Sequence, residues 1–521
     1  MGGPKVENEG KPQTLCFRLF SIIIIGLATI SLAWPSFVNK GPFFIADTTA
    51  YLRSADAAFS SILRYDSVWS DKRDIYDPYR KKAEGKTQSE LVNSRPVAVP
   101  IHPPLIGRSI YYGAFIYFPA LFFGEHMAVM FQAALSAIVI WLMLIPVGFT
   151  HRRKQLSAYA LSIAVLVFAT SLPFTTTLLV PDYLTGLGSA SLVMLMCFWG
   201  AYNRWARLAL GSIIVLAALS HSSNLPLLFA LSLLGLLARI KVPLSAKAAL
   251  IGFSAVALGV AGEAVFVSAV NTKIGISPIR PPFLTARLIA DGPGYQLLIS
   301  HCKIERFEVC RYSDRTPHDS DLFLWSEGSE GVFMAADLES QRKLSNQDFE
   351  FAVKTVRTFP IRTLASSFDA FVKQLFLTDL RIWKGGYGQQ KFYDIGNLPK
   401  VVAARMSETL SVQSKMPIEF SQLTIRFTIT VSLIAAAYCL MYAWQTDKRE
   451  VKAFGIALAF VILAVAMNAA ITGGLSKPDA RYNLRAIWLL PFFVLIFTFA
   501  ATLTSRLHHP EALEANKDVL V

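Results

Sequence analysis

The chain has 521 residues, 53% of them apolar and 17% charged, against about 45 to 50% and about 25% in an ordinary soluble domain. With 37 Phe, 17 Tyr and 9 Trp and a mean hydropathy of +0.44, this excludes a disordered protein, weighs against a soluble enzyme and implies an all-α polytopic membrane protein. The formal charge of +14 is not laid out as basic runs interleaved with aromatics, so no nucleic-acid partner is expected and the excess reads as membrane topology.

In chain order, residues 1–14 form a cytosolic N-terminus, and roughly 15–34 give the first apolar stretch near the about 20 residues a spanning helix needs. It is too long for a usual signal-peptide core, and no small-residue cleavage site follows Trp34 and Pro35, so it reads as an anchor. A long loop, 35–126, comes next. After Asp47, residues Leu52, Ala55, Phe59 and Ile62 recur at spacings of three and four, while Arg53, Asp56, Ser60 and Arg64 lie elsewhere on the wheel. That spacing predicts an amphipathic helix on the membrane surface. Ile110 to Phe123 is apolar but only 14 residues long and is followed by Gly124, Glu125 and His126, which predicts a re-entrant or interfacial helix.

Spans two to seven are expected at 127–149, 157–173, 185–201, 207–221, 224–239 and 248–270, completing a core over 15–270. The region 271–421 is a second outer loop, expected to be a mixed subdomain. In it Ile361, Leu364, Phe368, Phe371 and Leu375 form a stripe after Pro360, predicted to pack on the outer leaflet or on the subdomain core. Spans at 422–444, 452–471 and 486–505 precede a cytosolic tail, 506–521, bringing the expected total to about ten. No fixed period recurs, which argues against a solenoid.

Orientation follows from Lys and Arg in the short connections. With the N-terminus inside, inner connections carry eleven: Arg152, Arg153, Lys154, Arg204, Arg207, Arg239, Lys241, Lys247, Lys448, Arg449 and Lys452. The short outer connections carry three, Lys477, Arg481 and Arg485. Both termini are therefore expected inside, with 35–126 and 271–421 outside the cytoplasm. Five cysteines are too few for a disulfide scaffold and lack CxxC spacing. Cys16, Cys197 and Cys439 sit in apolar segments and read as packing, while Cys302 and Cys310 in HCKIERFEVCRY are expected to pair if that loop meets an oxidising compartment.

No Walker loop, GxGxxG, HExxH or GxSxG motif is present. What remains is polar chemistry at the outer ends of the spans. Asp47 lies in GPFFIADTTAYLR and Asp182 in LLVPDYLTGLG, between the third and fourth spans. Each suits a helix N-cap. Together they suggest more: a carboxylate can take the proton of an attacking hydroxyl, and a second can orient the acceptor or hold a divalent metal. Arg481 and Arg485, in KPDARYNLRAIWLLP with Tyr482 between them, are four apart and share a helix face. Guanidinium suits phosphate, and these two, with Arg108 in HPPLIGRSIYYG, are the candidate phosphate ligands; snorkelling to headgroups is the alternative. His102, His221 in ALSHSSNLP, and Glu263 inside span seven complete the candidates. The acidic cluster SDRTPHDSD matches no coordination spacing and reads as a solvated turn.

An acid in the first outer loop followed by a surface helix, a second acid between spans three and four, and a large outer region after about span seven resemble the GT-C superfamily of membrane glycosyltransferases. The likeness covers roughly residues 15–270. It implies a polyprenyl-phosphate-sugar donor, Asp47 as catalytic base and Asp182 as a second active-site acid. Asp47 and Asp182 are each solitary, without the tandem acids of many metal-dependent members, so a metal is left open and no other cofactor is expected. No WWDYG-like motif is present, against an oligosaccharyltransferase.

The expected activity is inverting transfer of a sugar to an envelope glycan or glycolipid on the extracytoplasmic side of a bacterial inner membrane. The donor, the acceptor and membrane lipids are the expected partners. Three rivals stand beside it: a lipid or glycan flippase or transporter, an O-antigen-type polymerase or ligase, and a structural or assembly factor with no chemistry, which predicts no cavity joining Asp47, Asp182 and the arginines. A flippase predicts mid-membrane polar residues and inverted repeats, and a ligase relies mainly on Arg and His in a late outer loop.

Overall fold

The computed structural model describes residues 11–63, 65, 67–70, 105–149, 151–275, 277–302, 306–326, 328–385 and 398–507, without the side chains of 11–18, 61 and 505–507. His102 lies outside the described residues, as does the tail beyond 507. The helices that position the site are numbered here in chain order. They are α1 (Lys11–Leu32), α2 (Ala46–Leu63), α3 (Ile110–Phe123), α4 (Glu125–Met143), α5 (Arg152–Ala169), α6 (Tyr183–Phe198), α7 (Arg204–Ser220), α8 (Asn224–Ala238) and α9 (Ala246–Ile274). After the outer region's α10 (Phe283–Ala290), α11 (Ser320–Trp325), α12 (Leu338–Thr358) and α13 (Pro360–Phe376) come α14 (Glu419–Gln445), α15 (Arg449–Leu475), α16 (Ala480–Ile487) and α17 (Leu489–Leu507).

The chain is an α-helical membrane protein. Among the described residues, six helical segments are long and apolar enough to cross a bilayer: Glu125–Val147, Tyr183–Ala201, Ala246–Lys273, Glu419–Gln445, Arg449–Leu475 and Ala480–Thr504. The last joins α16 and α17. Shorter apolar helices cover Leu19–Leu32, Ile110–Phe123 and Asn224–Ala238. The segments expected at 157–173 and 207–221 lie mostly in α5 and α7, which end at Ala169 and Ser220, and neither meets the length and apolarity of a span. Helix α6 is buried along most of its length, whereas α9 and α14 turn most of theirs outward, placing α6 at the centre and those two at the lipid-facing rim.

The expected mixed outer subdomain is corrected: among the described residues it contains helices and turns and no strand. Ile279, Ile289, Leu298, Phe323, Phe333 and Phe351 share a core separate from the membrane core. Residues 380–385 and 398–418 pack elsewhere. Trp383, Leu398 and Met416 join the membrane core, and Trp383 Nε1 donates to the Phe174 carbonyl at 2.9 Å.

Surface patterning is also revised in part. In α2, Leu52 and Ala55 are fully buried against α3, while the large apolar residues Ile62 and Leu63 at its far end face out. Close approach requires Gly113, where a Cβ would stand 2.4 Å from the Tyr51 carbonyl oxygen. Buried Asp56 fastens the pair by accepting from Tyr117 at 2.6 Å and from Ser67 and Ser70. In α13 the stripe residues Ile361, Leu364 and Phe368 point outward, away from the subdomain core, while Ala370 and Gln374 pack on α15 at Gly473.

Candidate functional site

Two isolated parallel bridges assemble the site. Phe43 pairs with Leu178, with Phe43 N–H donating to Thr177 at 3.1 Å and Leu179 N–H to Phe43 at 3.1 Å. Asp47 and Asp182 each follow that pair by four residues, so one bridge carries both acids to the same level. Leu105 pairs with Ile279, joining the turn that carries Arg108 to the root of the outer subdomain. Gly107, at φ 117, supplies the left-handed conformation of that turn, and Ser109 caps α3 by accepting from the Tyr111 and Tyr112 amides.

Asp47 sits in the first turn of α2. Its Oδ1 accepts from Arg108 Nη2 at 2.6 Å and its Oδ2 from Arg481 Nη1 at 3.4 Å. Arg481 Nη1 also lies 3.9 Å from Asp182 Oδ2, so one guanidinium bridges acids 135 residues apart in sequence. Asp182 stands at the N-cap of α6 but makes no capping bond through its side chain. Its Oδ1 instead accepts from Arg485 Nη1 at 2.7 Å. Arg485 is completely buried, and its other donors go to Asn468 Oδ1 at 3.0 and 2.8 Å and Ser223 Oγ at 2.9 Å. The Tyr482 ring lies under both guanidiniums, 4.7 Å from Arg481 and 5.1 Å from Arg485, and its hydroxyl accepts from Arg481 Nη2 at 2.8 Å.

Burial alone would raise the Asp47 carboxyl, but the guanidiniums of Arg108 and Arg481 outweigh it and hold the group below the usual carboxylate range. Burial likewise works against ionised Asp182, and Arg481 and Arg485 again prevail. Both acids are therefore carboxylates at neutral pH.

Asp47, Arg108, Arg481 and Tyr482 form one side of a cavity of about 400 Å³. Phe283, Trp325, Asp321 and Asp348 of the outer subdomain form the opposite side. Arg108 reaches across to Trp325, with its guanidinium carbon 5.7 Å from the ring centroid, and Lys477 pairs with Asp319 and Asp321 at 2.9 and 2.8 Å. His221 lines the same cavity, and its Nδ1 accepts from the Ser223 amide at 3.2 Å, leaving Nε2 to carry the proton of the neutral ring. Glu263 pairs with Arg280 and borders a smaller crevice of about 40 Å³ that shares Gly107, Arg108, His221 and Ser222 with the larger one.

Asp182 and Arg485 do not reach the cavity wall. Arg485, expected to hold donor phosphate, is withdrawn from that task because every nitrogen of its buried guanidinium is already bonded to the protein. Cys302 and Cys310 are joined in a disulfide with a Cα–Cα distance of 5.5 Å. Among the described residues, no three His, Cys, Asp or Glu side chains gather in a metal-holding group. The two site acids each face guanidinium cations, a donor set unsuited to a divalent ion. Arg280, Lys477, Trp325 and Asn468 were not singled out by sequence reasoning. Asn468, a lone polar residue inside an apolar span, carried a usable signal. No family model, curated protein or solved structure matches the chain.

Proposed function

We propose that the protein is an inverting membrane glycosyltransferase of the GT-C kind, moving a sugar from a polyprenyl phosphate to an envelope glycan or glycolipid outside the cytoplasm. In this reading α1, α5, α7 and α8 join the six long segments to make about ten passes, both termini face the cytosol of a bacterial cell, and the outer subdomain caps the reaction chamber. The observation that carries it is Asp47 lining a cavity between membrane helices and cap, flanked by Arg108 and Arg481.

The acceptor hydroxyl oxygen attacks the anomeric carbon as the bond from that carbon to the phosphate oxygen breaks, and the hydroxyl proton passes to Asp47. Arg108 and Arg481 take the charge that develops on the leaving phosphate. Asp182 and Arg485 act as positioning residues, holding Arg481 and α16 against α6 from beneath. The aromatic and acidic residues of the cap, Trp325, Phe283 and Asp321, face the acceptor. The ligase rival assigns the work to Arg and His; Asp47 at the cavity wall, with the His221 Nδ1 turned to backbone, favours the transferase.

Mass spectrometry of envelope glycolipids and glycans from cells carrying wild type, Asp47→Asn or no protein tests this. Asp47→Asn is expected to reproduce the null profile, with activity reduced by about 10²-fold or more. A wild-type profile in Asp47→Asn cells sinks the transferase reading.

A further inference from the structure

Both oxygens of Asp47 are spent on the two cations that the transfer step needs for phosphate. Arg108 meets Oδ1 at 2.6 Å, the length of a charge-assisted bond, and Arg481 meets Oδ2 at 3.4 Å. We infer that Asp47 occupies, in the empty protein, the place a phosphate oxygen takes when the donor binds, so the chain carries a built-in competitor for its own anion site. This rests on the transferase reading and adds an order of events to it.

Three observations on the site point the same way. Arg108 and Arg481 both border the cavity, so an incoming anion meets them without rearrangement of the fold, whereas Arg485 is sealed off. Arg481 Nε is buried without an acceptor, a donor that the two oxygens of a carboxylate leave unused and that the bridging oxygen of the donor phosphodiester, freed as a third phosphate oxygen when the sugar leaves, can satisfy. The other cavity cations have partners of their own, Arg280 with Glu263, Arg287 with Asp291 at 2.7 Å and Lys477 with Asp319 and Asp321. Of these acids, Asp47 is the one whose release serves the reaction.

The exchange breaks no covalent bond: two guanidinium–carboxylate contacts are traded for guanidinium–phosphate contacts. Its consequence is chemical. The same guanidiniums that depress the Asp47 carboxyl are drawn off, burial is left to act on it, and it becomes a better proton acceptor. Hydroxyls reaching the empty cavity meet a carboxylate that is ionised but weakly basic. The donor therefore binds first and switches on the base.

The test is isothermal titration of the purified full chain in nanodiscs with farnesyl phosphate, with inorganic phosphate and farnesol as parallel probes. Asp47→Asn, and Asp47→Ala as a second variant, are expected to bind farnesyl phosphate at least about tenfold tighter than wild type, because the charge-assisted bonds return to the ligand. Arg108→Ala and Arg481→Ala are expected to bind it more weakly, and farnesol should gain nothing from the Asp47 variants. Asp348→Asn removes a charge from the same cavity where the carboxylate accepts from the Leu284 and Thr285 amides, frees no cation and should change affinity by less than about twofold. Unchanged or weaker binding in both Asp47 variants, or an equal gain in Asp348→Asn, overturns the competitor. If inorganic phosphate binds as tightly as farnesyl phosphate with the same Asp47→Asn gain, the competitor stands and the lipid donor falls. If neither probe binds any variant, both fall.

Discussion

Arg485 donates to Asp182 at 2.7 Å across 303 residues of sequence, with its guanidinium wholly shielded from solvent. Two charges withdrawn from water are tolerated because every nitrogen of the guanidinium has a partner, Asp182, Asn468 or Ser223. The pair pins α16 to the start of α6 beneath the cavity. Gly186 makes this possible, since a Cβ there would stand 2.6 Å from the Arg485 carbonyl oxygen.

Removing one member of that pair leaves the other charge buried alone, at a cost of about 3 to 5 kcal/mol. Asp182→Ala and Arg485→Ala are each expected to lower the thermal midpoint in detergent by several degrees. The double variant Asp182→Leu/Arg485→Met, which leaves no orphan charge, should recover part of that loss. A single variant as stable as wild type would show that the pair is not the fastener it is taken to be.

The ion pairs of Asp47 make a pH-dependent contribution whose sign is fixed. The folded carboxyl ionises more readily than an unfolded one, near about 3.9, because Arg108 and Arg481 overcome the effect of burial. In the window below that value the unfolded chain binds more protons, so this stabilisation is complete at neutral pH and is lost as the pH falls below about 4. The difference in thermal midpoint between wild type and Asp47→Asn should hold steady from about pH 7 to about pH 5 and shrink towards pH 3. A difference that grows with acidity contradicts the assignment.

The membrane class and the main spans were legible in sequence because bilayer thickness imposes a length on apolar runs. Asp47 and Asp182 were legible as chemically costly residues at helix ends. Their convergence was not, since it depends on the bridge between Phe43 and Leu178, whose residues look like ordinary apolar loop. The four-residue spacing correctly put Arg481 and Arg485 on one face, and both reach Asp182. Spacing says nothing of depth, and the last turn of α16 runs into the core, so the second arginine serves the protein's interior. Similarly, the α13 stripe identified an apolar face but not its direction. The small residues opposite it, which allow contact with α15 at Gly473, decide that the stripe points outward.

The disulfide tests the orientation on which the outer site depends. Cys302 and Cys310 lie 8 positions apart in sequence, and both pack against the second hydrophobic core. A loop this short yields about 2.5 kcal/mol on the chain-entropy account, enough to steady the cap and too little to fold it. Alkylation of intact cells followed by peptide mass spectrometry should leave both cysteines unlabelled until a reductant is added. Cys302→Ser/Cys310→Ser should accumulate in the membrane at near wild-type levels but be cut sooner by protease in the outer subdomain. Labelling without reductant would mean that the loop lies in a reducing compartment, placing Asp47 and its cavity on the cytosolic face and reversing the topology that the Lys and Arg distribution implies.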